Sequence, residues 1–281
     1  LKKKIFFLLL LSLFLSACSM QTNDSQKNAT TDSKLTTAEQ VNQMKQWSYH
    51  SGDDPIKVLN HDRPTTIKAT DFTKAQIKYG KLDSLNRTKT ATAYLTKENL
   101  GHSNTRTEQV WRPTGWHNEP RSIAGKRVIP QNRGHLIAYT MTFNLNDQGK
   151  SNPGHLGSTD NPYNLFTQTS FSNQKTMTEV EQLVRKSLAQ NKKVIYQVTP
   201  IFRGQELMAR GVWVQAISTD GTLKFNRYLW NVQSKIQYDY STGRSRVDTE
   251  MQVPGDDGFT QVINNYRHNN YQRKKYYQKN Y

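Results

Sequence analysis

Between residues 132 and 185 the chain carries, in order, Asn132-Arg133-Gly134-His135, Asn161-Pro162-Tyr163-Asn164, Ser172-Asn173-Gln174, and then Glu181 and Arg185. A histidine set between an arginine and the run that follows, with a flexible glycine before it, offers a base beside a cation. Amide oxygens and a carboxylate within one domain's reach offer hard oxygen donors for a divalent ion. Together these are the parts of metal-assisted phosphodiester hydrolysis. Each residue alone has a plainer reading: His135 as a structural imidazole, Asn164 and Asn173 as turn or helix caps, Glu181 and Arg185 as an i,i+4 pair on a solvated face. Their joint occurrence, in this order and in a basic exported chain, carries the chemical reading.

The elements that must hold these residues are partly legible. Met177, Val180, Val184 and Leu188 recur at helical spacing and predict a helix over 171–190. On a continuous helix, Asn173 and Glu181 would lie about 12 Å apart along the axis on nearly one face. Both can then hardly ligate the same ion directly if the helix is continuous. Residues 193–202 alternate, with Val194, Tyr196 and Val198 on one face and Ile195, Gln197 and Thr199 on the other. Residues 88–95 form a second strand with Ala91, Ala93 and Leu95 on one face, and 211–232 read as a hairpin about the turn 219–222. Residues 147–161 read as a loop, and periodicity leaves 136–143 open between strand and helix. Pro113-Thr114-Gly115-Trp116 reads as a turn; Trp111 and Trp116 are expected as core pegs, with stacking of Trp116 and His117 on a base as the alternative. Antiparallel strands around helical insertions predict an α+β domain over 47–254.

The formal charge of +17, from 39 Lys and Arg against 22 Asp and Glu, exceeds what solubility needs and predicts a polyanionic partner, nucleic acid before anionic wall or membrane. Residues 1–18 run from Lys2-Lys3-Lys4 through an apolar stretch to Leu15-Ser16-Ala17-Cys18. This resembles the signal and lipobox of bacterial lipoproteins, which implies lipidation at Cys18 and anchoring on the extracellular face of the cell membrane; the alternative is an ordinary secretory signal and a released protein. Residues 19–46 read as a flexible linker, with a short helix from Thr37 near its end. The tail 255–281 is basic, with Tyr266, Tyr271, Tyr276 and Tyr281 at intervals of five that build no packed face. It reads equally as a single-strand-binding segment or as a solvated terminus.

The ordered motifs resemble those of the DNA/RNA non-specific endonucleases with the ββα-metal fold, among them streptodornases and bacterial membrane-bound DNA-entry nucleases. The resemblance spans roughly 47–253, and its specific part is the order of the motifs, because Arg-Gly-His alone is common. It implies a mainly antiparallel central sheet with flanking helices. It implies His135 as general base, Asn173 as direct Mg²⁺ ligand, Glu181 as the carboxylate that orients metal-bound water, and Asn164 as a residue orienting groups at the catalytic centre. Arg133, counted with the catalytic group, and Arg185 fall where the family contacts phosphate. Asn132 stands where the family usually has Asp, which removes a negative charge near the metal. The activity implied is hydrolysis of DNA, and of RNA as second substrate, to 5′-phosphate ends, with Mg²⁺ or in its place Mn²⁺, and with no obligate protein partner. The competing class is a non-catalytic surface receptor that captures extracellular DNA. A zinc protease is disfavoured because His-Glu-x-x-His is missing.

Overall fold

Alternating apolar residues pair with one another at the centre of the fold. The computed structural model describes residues 35–256, so the signal segment with Cys18, most of the expected linker and the tail beyond 256 lie outside the described residues. In chain order the strands are β1 (Ile56–Val58), β2 (Gln76–Tyr79), β3 (Ala91–Leu95), β4 (Arg121–Ile123), β5 (Lys126–Val128), β6 (Gln131–His135), β7 (Leu165–Thr169), β8 (Val194–Ile201), β9 (Gly211–Ser218), β10 (Lys224–Trp230), β11 (Ile236–Asp239) and β12 (Arg244–Val247). The helices are α1 (Thr37–Gln46) and α2 (Met177–Ala189). One six-stranded sheet has the order β1-β10-β9-β8-β3-β2, and β4-β5, β6-β7 and β11-β12 form separate pairs. All these pairings are antiparallel, so the mixed α+β class and the antiparallel centre are as the sequence predicts.

Period two decides which side chains meet. Ala91, Ala93 and Leu95 of β3 and Val194, Tyr196 and Val198 of β8 point to one face, where they pack with Met177, Val180, Val184 and Leu188 of α2. Tyr94 and Ile195 point to the other face and are covered by Ile67 and Phe72. The β9–β10 hairpin turns through Gly221 at φ +72°, a conformation that favours glycine. The stretch 136–143, undecided from sequence, becomes neither long helix nor strand. Leu136, Ile137, Tyr139 and Met141 are buried about a 3₁₀ turn at Tyr139–Met141.

The expected tether differs at its end. Thr36 caps α1 in a capping box with Glu39, whose backbone N–H donates to Thr36 Oγ1 at 3.3 Å while Glu39 Oε2 accepts from Thr36 N at 2.8 Å. Met44 is buried against Phe171, Ile201 and Trp213. Arg203 donates to the carbonyls of Lys45 at 2.5 Å and Trp47 at 2.6 Å, satisfying the helix end. An apolar peg and a charged cap thus bring 36–46 into the folded body. At the other end Val253 is buried and Asp256 accepts from Ser234 N at 2.6 Å.

Candidate active site

Two strands and a helix set out the site. β6 pairs with β7 in the register Gln131↔Thr169, Arg133↔Thr167 and His135↔Leu165, and β7 leads within a few residues into the helical segment. Arg133 and His135, two residues apart on β6, share one strand face. Gly134 serves this strand through its small size and not through flexibility: an added Cβ would lie 2.2 Å from Gln168 Oε1 and 2.8 Å from Gln168 Cβ. The helix predicted over 171–190 is not uniform. Ser172–Thr176 forms a π turn in which Met177 N–H donates to the Ser172 carbonyl, and α2 follows. Such turns are rare and widen the helix locally, so the separation worked out for a regular helix does not hold. Asn173 on the π turn and Glu181 on α2 line the same cleft.

That cleft has a volume of about 850 Å³ and is also lined by Arg106, Gln109, Trp116, Asn132, Arg133 and His135. The ring of His135 is fixed by one bond, Nε2 to the Thr159 carbonyl at 2.9 Å. A carbonyl only accepts, so Nε2 carries the hydrogen and Nδ1 keeps its lone pair. Among the described residues Nδ1 has no protein partner. Burial pushes the imidazole pKa down to about 4; the Thr159 bond opposes this, the Arg106 charge adds to it and Asp160 opposes it. The ring is therefore neutral at pH 7.

Glu181 lies at the other side of the balance. Burial raises its carboxyl to about 8, against the pull of Arg106 and Arg185. The carboxyl is thus held protonated at neutral pH until further positive charge joins it. The Asn173 carboxamide takes part in no side-chain hydrogen bond among the described residues; its backbone carbonyl accepts from Thr178 Oγ1 at 3.3 Å. An unengaged amide oxygen, beside a carboxyl that ionises when further positive charge joins it, fits a hard cation. No cluster of three His, Cys, Asp or Glu side chains able to hold a metal occurs among the described residues. The Arg133 guanidinium lies 4.8 Å from the centre of the Trp116 ring, and its Nε is buried without a partner.

Several expectations need correction. Asn164 does not face the cleft. It is fully buried, its Oδ1 accepts from Ile137 N at 2.9 Å and its Nδ2 donates to the Ile137 carbonyl at 2.9 Å. Both ends of the amide are spent on backbone, so Asn164 braces the chain just after His135. Arg185 donates to the Thr140 carbonyl at 3.1 Å and does not line the cleft; its charge reaches the site through Glu181. Trp116 is half-buried on the cleft wall and Trp111 is 36% exposed, so neither is a core peg. The ring of His117 is not part of the cleft lining; its backbone N–H donates to Gln131 Oε1 at 2.7 Å. Asn132 lines the cleft and accepts a long 3.4 Å bond from Ser170 Oγ. Sequence reasoning missed Arg106, Gln109 and Thr159, which sit on irregular loops without periodic signal.

Residues 64–220 match the family described as DNA/RNA non-specific endonuclease. A structure of NucA from Streptococcus agalactiae with magnesium ion bound shares 31% identity, with 77% of this chain and 99% of that chain covered at a TM-score of 0.61. The same protein with no metal bound shares 30% identity, covering 71% of this chain and 90% of that one at a TM-score of 0.58. Sda1 nuclease with bound zinc ion, at 18% identity, 72% and 100% coverage and a TM-score of 0.54, shares the fold.

Proposed function

Because this chain belongs to the DNA/RNA non-specific endonuclease family, we propose that it is a divalent-metal-dependent endonuclease, cutting DNA and, as a second substrate, RNA to 5′-phosphate ends with His135 as its base. The observation that carries this reading is the Nε2 bond to Thr159, which leaves Nδ1 of a neutral imidazole open in the cleft that Asn173 and Glu181 also line.

Nδ1 takes the proton of the attacking water, and the Thr159 carbonyl then holds the Nε2–H of the imidazolium so that the ring does not turn. A pKa near 4 in the free protein makes a weak base, but a phosphodiester entering the cleft adds negative charge and raises it. Arg133, stacked on Trp116, presents its remaining N–H groups to the phosphate. Asn173 would hold the metal through its amide oxygen, and Glu181 would act through a water once its proton is lost. When bound, Mg²⁺, or Mn²⁺ in its place, supplies Lewis-acid stabilisation of the charge that builds on the phosphate oxygens. NucA with magnesium bound supports this choice of ion. The neutral amides Asn132 and Asn173 leave Glu181 as the acidic side chain on the cleft wall, so metal affinity should lean on substrate phosphate.

The order of charged, apolar and small residues over 1–18 supports export, with anchoring through Cys18 on the outer face of the membrane or release. Purified protein incubated with supercoiled plasmid tests the function. Open circles and then linear DNA should appear with Mg²⁺ and not with a chelator. Plasmid that is retarded on a gel yet stays supercoiled at all Mg²⁺ concentrations would instead make the protein a DNA-capture receptor.

A further inference from the structure

Two irregular loops, 106–111 and 158–161, meet beside His135 and are joined by hydrogen bonds. The Thr159 carbonyl that accepts from His135 Nε2 at 2.9 Å also accepts from Gln109 Nε2 at 3.1 Å. Thr159 Oγ1 accepts from Thr107 N at 3.4 Å. The carboxylate of Asp160 accepts from two successive backbone N–H groups of the facing loop, Val110 at 3.1 Å and Trp111 at 3.0 Å. These are the charge-assisted contacts of the junction, and charge-assisted bonds to backbone are the strong ones. Asp160 forms no ion pair among the described residues, so its charge is spent on those amides.

We propose that Asp160 is a positioning residue: by tying residues 110–111 to 159–160 it holds the Thr159 carbonyl against His135 Nε2 and keeps Gln109 and Arg106 on the cleft wall. Without the carboxylate, the Val110 and Trp111 amides turn to water and the 106–111 loop loses its strongest tie. The Thr159 carbonyl then holds His135 less firmly, and the ring samples the tautomer with the hydrogen on Nδ1, which has no lone pair there for a water proton. The Asp160 charge also opposes the depression of the His135 pKa.

This inference rests on the nuclease reading for its kinetic arm alone. Asp160→Ala and Asp160→Asn are compared with the wild type by ¹⁵N NMR of the metal-free protein, with the His135 signals assigned by their loss in His135→Gln. Mg²⁺-supported cleavage of a duplex oligonucleotide is measured in parallel. The wild type should show the Nε2–H form. In Asp160→Ala, His135 should become a tautomer mixture and kcat should fall about 10- to 100-fold, the scale of a small misplacement of a reacting group. Asp160→Asn, which keeps one acceptor oxygen, should lie between, and it carries the same readouts if Asp160→Ala does not fold. A wild-type value for either the tautomer or kcat in Asp160→Ala overturns the proposal. Should the wild type cut nothing, the nuclease reading fails and the tautomer measurement still decides the role of Asp160.

Discussion

Replacing Asn164 by Ala separates a bracing role from a catalytic one. The carboxamide is fully buried and makes two 2.9 Å hydrogen bonds to the backbone of a single residue, Ile137. Truncation strands a buried N–H and a buried carbonyl, each at about 1–3 kcal/mol, so the variant should lose about 2–6 kcal/mol. That loss is a large part of the roughly 5–15 kcal/mol that holds a domain together. Leu136 N–H donates to the Asn164 backbone carbonyl at 2.8 Å, and that bond survives the substitution, so the loss should fall short of the upper limit. Urea unfolding of Asn164→Ala and wild type at pH 7, followed by far-UV circular dichroism, gives the difference directly. Cleavage should fall too, because the brace lies two residues from His135. A stability within about 0.5 kcal/mol of wild type, the range of an ordinary surface change, together with lost cleavage would refute the bracing role and return Asn164 to the reacting centre.

Gly134→Ala should destabilise by about 1–3 kcal/mol through overpacking against Gln168, read as a lowered melting temperature; an unchanged melt would mean that Gln168 has room to move. His135 has a folded pKa near 4 against about 6.5 in the unfolded chain, so the unfolded state binds the extra proton between those values. Its burial therefore costs nothing above pH 6.5 and removes up to about 3 kcal/mol of stability as pH falls toward 4, and His135→Gln should flatten that slope in denaturant melts at pH 7 and pH 4.5. Asn173→Ala should abolish cleavage while metal-free DNA affinity keeps its steep fall with salt, since that slope counts phosphate contacts. Glu181→Ala should be milder at saturating Mg²⁺, with a loss of about 10- to 100-fold. A Mg²⁺ titration beside a binding curve checks both, and normal cutting by Asn173→Ala at low Mg²⁺ would remove it as the metal ligand.

How much was legible depended on whether a residue's partners are periodic. The faces of 91–95 and 194–198 were readable because alternation sorts side chains between the two sides of a sheet, and the buried clusters follow that sorting. The motif order placed Arg133, His135, Asn173 and Glu181 in sequence, and the fold brings them to one cleft. The π turn was not readable, because the widened bond from Met177 to Ser172 leaves no mark in the residue types of Ser172–Thr176. Asn164 misled for a related reason: a buried amide that clamps backbone and one that faces substrate look alike in a sequence. Gln109 and Val110 meet Thr159 and Asp160 through loop-to-loop hydrogen bonds some 50 residues apart, and Arg106 reaches the same cleft from an irregular loop, which no local pattern reports. The helix α1 was half visible, since Thr36 and Glu39 have the spacing of a capping box, but the Met44 contact that docks it depends on tertiary structure.

In the proposed mechanism Nδ1 of His135 removes the proton from the attacking water. Single-turnover cleavage of a labelled duplex by His135→Ala at saturating Mg²⁺, beside a metal-free affinity measurement, tests it most directly. Loss of a general base should slow the cutting step by about 10² to 10⁴ fold, with affinity unchanged because Arg133 and the basic surface remain, and added imidazole should restore part of the rate. Cleavage by His135→Ala at the wild-type rate would contradict the account.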